Sequence, residues 1–262
     1  MKNNIWFFGD STTYGHGLRY GFDYYDNFPK NRKPLWTKIL SNYFDANPVN
    51  FASCGASNED IKFRLITQLH LIKENDVVVI QPTYPTRINI FTIDGEYKPI
   101  HMAFGEDHLL EGRVTKQQLK ALKEFTKEFL VDNTDKFELR DMIYFESLKK
   151  ELELRGVKVI TWNHEVMNEN IRKYMGWETI KEETNGEVDD YHIGFNAQEK
   201  FANFIIQQYE SGNTFIMPHP KFYDDVTDLS FDYHDSLKVM KKIFEHVGRR
   251  DICKDYSETY FK

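Results

Sequence analysis

A serine attacks a carbonyl usefully only when a neighbouring base takes its proton and a third group holds that base in the right tautomer. The stretch NIWFFGDSTTYGHG, Asn4 to Gly17, runs an apolar segment straight into Gly9, Asp10 and Ser11. Late in the chain, EVDDYHIGFNAQEKFA sets Asp189 three residues before His192, just ahead of a helical pattern. That spacing lets one loop carry base and orienting acid together. Ser11, His192 and Asp189 are therefore the candidate nucleophile, base and orienting acid, with Asp190 the nearest rival for the acid. Asp10 reads as a structural acceptor for loop amides rather than as a catalytic group.

Acyl transfer also needs donors aimed at the developing oxyanion, usually backbone N–H groups beside small residues. The amide of Ser11 is one candidate, and NFASCGASN supplies another at Gly55, whose lack of a side chain leaves the approach open. IQPTYPTR adds the Thr83 hydroxyl, which is either a third donor or a simple strand-end residue. Tyr24, Tyr84 and Arg87 are the candidate substrate contacts. Arg87 suits a substrate carboxylate or a loop acid, and the rings of RYGFDYYDNFP suit a sugar or aryl group or a local core. Cys54 reads as a small packed residue. NHEVMN has Asn168 where a zinc-binding helix would need its second His, so the sequence implies no metal and no organic cofactor.

These residues act together only if the fold brings their segments to one place. Apolar runs at Ile5–Phe8, in PVNFAS and in DVVVIQ read as buried strands. Between them, KPLWTKILSNYFDA and SNEDIKFRLITQLHLI show helical spacing, the second with Ser57 or Asn58 as N-cap. Strand alternating with helix predicts right-handed crossovers and a parallel sheet, hence an α/β fold. If the strands are parallel, the Ser11, Gly55 and Thr83 segments all leave the same sheet edge, where α/β proteins bind ligands. VKVITW adds a further strand and FNAQEKFANFIIQQYE a further helix. Residues from about 92 to 155 read as a helical insertion within a domain spanning 1–211. Residues 212–262 read as an acidic, aromatic extension packed on that domain.

Forty per cent apolar and 29% charged residues describe a globular chain, and a net charge of −7 argues against a nucleic-acid partner. No run approaches membrane-spanning length, and Ile5–Phe8 is too short for a signal-peptide core. Two distant cysteines, Cys54 and Cys253, match no metal or redox spacing and point to a reducing, cytoplasmic setting. Nothing in the sequence gives an oligomeric state.

Taken in order, these segments resemble the blocks of the SGNH, or GDSL-type, hydrolases over most of Ile5 to Ile206. FFGDSTTYG resembles the first block with Ser11 as nucleophile, NFASCGASN the second with Gly55 as oxyanion donor, and DDYHIGFNAQEKFA the last with Asp189 and His192. The third block departs: the family usually has G-x-N-D, and QPTYPTR puts Thr83 at the Asn position. Some members carry a Ser/Thr-Pro-x-Arg variant there. The resemblance implies a three-layer α/β/α fold with a flavodoxin-like central parallel sheet. It further implies a serine esterase cleaving short acyl esters, and the aromatic loop tilts this toward O-acetyl groups on carbohydrate. Two alternatives stay open: a carbohydrate O-acyltransferase of the same fold, and a catalytically silent glycan-binding or assembly protein.

Overall fold

An apolar run is buried on both faces only when something covers each face of its sheet. In the computed structural model two helices lie on each side of the central strands. The structure describes residues 2–15, 34–85, 87–101, 112–125, 134–162, 178–183, 185–186, 192–194, 196–212 and 215–216. In chain order its elements are β1 (Asn4–Phe8), α1 (Ser11–Tyr14), α2 (Trp36–Tyr43), β2 (Asn47–Asn50), α3 (Asn58–Gln68), β3 (Val77–Ile80) and a hairpin of β4 (Arg87–Phe91) and β5 (Tyr97–His101). There follow α4 (Lys116–Phe125), α5 (Thr134–Leu154), β6 (Lys158–Trp162), α6 (Ile180–Glu183), α7 (Ala197–Glu210) and β7 (Phe215–Ile216).

The fold is α/β. Its main sheet has the order β2-β1-β3-β6-β7, and every neighbouring pair is parallel. After β1 the chain passes to one side for β2 and returns to the other side for β3. The two crossovers therefore diverge beside β1, and in open α/β sheets such a switch point leaves a crevice at the carboxyl ends of the strands. Ser11 is the third residue after β1.

Alternation along the strands divides the core. Ile5, Phe7, Val77, Val79 and Ile160 pack with Trp36 and Leu40 of α2 and Phe201 and Ile205 of α7. Trp6, Phe8, Val78, Ile80 and Val159 pack with Ile61 and Leu65 of α3 and Phe145 and Leu152 of α5. Trp36 anchors the first side, its ring edge-on to both Phe7 (5.6 Å between centroids) and Phe201 (5.2 Å). Such pairs add about 0.5–1.5 kcal/mol each to area burial. At the opposite edge from Ser11, buried Asp76 accepts from the Asn4 amide (2.8 Å), the Trp6 indole (2.9 Å) and the Lys73 amide (3.1 Å).

Three expectations need correction. The segment from about 92 is not simply helical: within it Tyr97–His101 pairs antiparallel with Arg87–Phe91, which precedes it. The turn between them closes through hydrogen bonds between Thr92 and Glu96 (2.9 Å) and from the Gly95 amide to Thr92 (2.9 Å). Nor is α5 part of an insertion, since Phe145 and Leu152 belong to the core beneath the sheet and α5 packs on β6. It serves as the crossover into β6, which the parallel pairing of β3 and β6 requires. Finally, β7 lies beyond residue 211 and extends the sheet, so the domain runs past that limit. The aromatic loop after Gly15 and the extension beyond residue 216 lie outside the described residues. Among the described residues no helix is long and apolar enough to cross a membrane.

Core membership of α5 has a direct test. Phe145→Ala is expected to lower unfolding stability by about 3–5 kcal/mol in urea titration, as for other buried Phe truncations. Phe91→Ala, at a hairpin position 70% exposed, should change it by about 0.5 kcal/mol or less.

Candidate active site

The first turn after β1 is built around Asp10, which is 1% exposed and forms the N-cap of α1. One carboxylate oxygen accepts from the Thr12 amide (2.9 Å) and the Gln81 side-chain amide (2.7 Å). The other accepts from the Thr83 hydroxyl (2.9 Å) and from Arg87 Nη1 (3.4 Å). A carboxylate with this many donors can stay charged without water. Gln81 also accepts from the Thr13 hydroxyl, so β3 grips α1 at two points. Gly9 makes the approach possible, because a Cβ there would sit 2.5 Å from Thr13 Oγ1 and 2.7 Å from Gln81 Oε1.

This turn presents Ser11 at the first position of α1, where its N–H has no intrahelical acceptor. His192 approaches from the other end of the chain. Its Nε2 lies 2.8 Å from Ser11 Oγ, across 181 residues of sequence. With the ring proton on Nδ1, Nε2 accepts the serine proton, which is the arrangement a general base needs.

Several contacts hold the histidine there. The His192 carbonyl accepts from the Ile180 amide (2.9 Å), Gly194 N–H donates to the Glu178 carbonyl (2.9 Å), and Thr179 bridges Ile193 antiparallel. Thr179 and Glu182 form a capping box on α6, with the Thr179 amide 2.6 Å from the Glu182 carboxylate. Glu183 then accepts from the Asn196 (2.7 Å) and Ala197 (3.3 Å) amides and caps α7 in place of Asn196, whose side chain makes no cap. Buried Gln198 accepts from the Trp36 amide (2.9 Å) and donates to the Ile193 carbonyl (3.3 Å). Trp36 in turn donates its indole proton to the Thr12 carbonyl (3.2 Å), which links the histidine loop to the serine turn.

On the second strand's exit, the Ser53 amide donates to the Gly9 carbonyl (3.1 Å), so this loop runs beside the serine turn. Gly55 sits at φ +74°, a conformation glycine adopts without strain. Among the described residues neither the Ser11 N–H nor the Gly55 N–H donates a hydrogen bond. Both residues are half-buried.

Thr83 has a different role from the one expected of a donor. Its hydroxyl donates to Asp10, accepts from Arg87 (3.0 Å), and its amide is taken by the Asn58 side chain (2.6 Å). One hydroxyl has one proton, so Thr83 has none left for an oxyanion. Arg87 is likewise turned inward, to Asp10, Thr83 and the Ala56 carbonyl (3.0 Å), which decides for the loop acid over a substrate carboxylate. Tyr84 lies beneath the guanidinium, 5.9 Å from its ring centroid. Tyr24, Asp189 and Asp190 lie outside the described residues. Cys54 is exposed rather than packed, and partial burial of the sulfur followed by the charge of Asp10 pushes its thiol pKa up. Among the described residues no cluster of His, Cys, Asp and Glu could hold a metal ion.

Gln81, Gln198 and Glu183 had been given no role from the sequence, and Asn58 had been read only as a possible helix N-cap. Only Gln81 carried a signal, a polar residue closing the apolar run DVVVIQ. No protein-family model matches the chain, and no curated protein matches it.

Two outcomes follow from this packing. Gly9→Ala should lose about 1–3 kcal/mol of stability, read by thermal or urea unfolding, because the Thr13 and Gln81 side chains must both shift. Cys54 should react with iodoacetamide at pH 8 more slowly than the same thiol in an unfolded peptide, followed by mass spectrometry of its tryptic fragment. The raised pKa leaves less thiolate at that pH.

Proposed function

We propose that the chain is a serine ester hydrolase of SGNH type. The observation that carries the reading is the 2.8 Å contact between His192 Nε2 and Ser11 Oγ at the carboxyl end of β1. The sheet order supports it as well: with the hairpin set aside it is 2-1-3-4-5, the flavodoxin-like order, with helices on both faces.

On this reading Ser11 Oγ attacks the ester carbonyl while His192 Nε2 takes its proton. The carbonyl oxygen gains negative charge and is held by the amides of Ser11 and Gly55. Collapse of the tetrahedral intermediate breaks the carbon–oxygen bond, and His192 returns the proton to the departing alcohol. Water then adds to the acyl-serine and gives a proton to His192, which returns it to Ser11 Oγ as the acyl–oxygen bond breaks and the carboxylic acid leaves. Asp189, three residues before His192, is the proposed orienting acid. The proposed substrates are short acyl esters, with O-acetyl groups on carbohydrate as the natural class.

The test is hydrolysis of p-nitrophenyl acetate and of an O-acetylated sugar by the wild type, Ser11→Ala and His192→Ala. Each variant is expected to lose about 10³-fold or more in kcat while keeping its melting temperature. Unchanged turnover in both folded variants would rule the mechanism out.

A further inference from the structure

Arg87 offers the cluster of contacts that the ester-hydrolase reading does not use. One nitrogen, Nη1, lies within reach of three acceptors: the Ala56 carbonyl at 3.0 Å, the Thr83 hydroxyl at 3.0 Å and the Asp10 carboxylate at 3.4 Å. Each acceptor sits on the exit of a different strand. Asp10 follows β1 and precedes Ser11, Ala56 lies on the loop after β2 and follows Gly55, and Thr83 follows β3. The side chain is only 11% exposed, so these bonds form away from water, where they are strong.

The geometry points to Arg87 as a positioning residue that sets the spacing between the two oxyanion-binding amides. The inference rests on the ester-hydrolase reading. Each amide is one residue away from an anchor of the guanidinium: Ser11 N–H is joined to Asp10, and Gly55 is joined to Ala56. Without that nitrogen, the β2 loop and the serine turn lose the side-chain tie that crosses from one to the other. The links that remain include the backbone bond from Ser53 to Gly9 and, at the end of β2 itself, the bond from the Asn50 side-chain amide to the Thr13 carbonyl (3.1 Å). Oxyanion donors act by being fixed before charge develops, and a displacement near 1 Å removes most of their effect. A loss of this kind weakens the transition state far more than the ground state, so it lowers kcat and spares KM.

The experiment compares wild type, Arg87→Met, Arg87→Lys and Ser11→Ala in kcat and KM for p-nitrophenyl acetate and in the rate of Ser11 labelling by a fluorophosphonate. Arg87→Met keeps the stem and removes the donors. Its kcat and labelling rate are expected to fall by about 10²-fold with KM within about twofold of wild type. Arg87→Lys, which keeps a cation with three donors, should fall between the two. If Arg87→Met does not fold, a reduced kcat with unchanged KM in Arg87→Lys supports the proposal, and wild-type kcat in Arg87→Lys overturns it. A rise in KM at constant kcat also overturns it, because that marks a substrate contact. Wild-type kcat and labelling in folded Arg87→Met overturn the inference alone, provided Ser11→Ala is inactive. Absence of Ser11 labelling and of turnover in the wild type overturns the hydrolase reading and the inference with it.

Discussion

A carboxylate removed from water needs its donors supplied by the protein, and Asp10 draws them from three separate parts of the chain. Thr12 is local, Gln81 and Thr83 leave β3, and Arg87 opens the hairpin. Stripping solvent from such a group costs several kcal/mol, which only a nearly full set of charge-assisted bonds offsets. The carboxylate therefore works as a constraint as much as a stabiliser. Any arrangement in which β3 slips relative to β1, or in which α1 unwinds, leaves the carboxylate buried with fewer partners. The position of the Ser11 turn is in this way tied to the register of the central sheet, where Phe8 pairs with Ile80.

The histidine is placed by an independent route. Its loop hangs between the 178–183 segment and the start of α7, and α7 packs through Phe201 against the Trp36 ring. Trp36 thus belongs to both systems, as a core ring and as donor to the Thr12 carbonyl. Serine and histidine converge because one large buried side chain and one buried glutamine connect the two strand exits. Fixing reacting groups to within about half an ångström requires such support from packed neighbours. Neither residue at the contact supplies that precision itself.

Much of this frame was legible in the sequence. The run Ile5–Phe8 had to be a strand buried on both sides, because four consecutive apolar residues ending in Gly fit no exposed element. Ser57 or Asn58, with acids following, announced the start of α3, and the structure has Ser57 in a full capping box with Asp60. The hairpin was legible too, in the alternation of Arg87–Phe91 and the Asp94-Gly95 turn, but it was masked by the two helical patterns that follow. The distant partners of Asp10 were not legible. They lie 71 to 77 residues away, and hydrogen bonds at that separation leave no periodic trace in a single sequence. Glu183 as the cap of α7 was hidden for the same reason, since Asn196 stands where local rules put the cap.

Thr83 is where the residue type left two readings open and the hydrogen bonding bears on the choice. At the position where the resembling family places an asparagine, a threonine hydroxyl looks like a substitute donor. A hydroxyl has a single proton, however, and the nearest strong acceptor is the buried Asp10 carboxylate, not a ligand. Charge and proximity decide the competition in favour of Asp10. On the proposed reading the oxyanion is then left to two backbone amides. An asparagine side chain must be held in one rotamer to act, whereas a main-chain N–H has no side-chain rotamer to lose. The requirement passes to the loops that carry those amides, and the residue spanning both loops is Arg87. On the proposed reading Thr83 and the inward turn of Arg87 therefore act together: neither aims a donor at substrate, and both bind Asp10 behind the two amides.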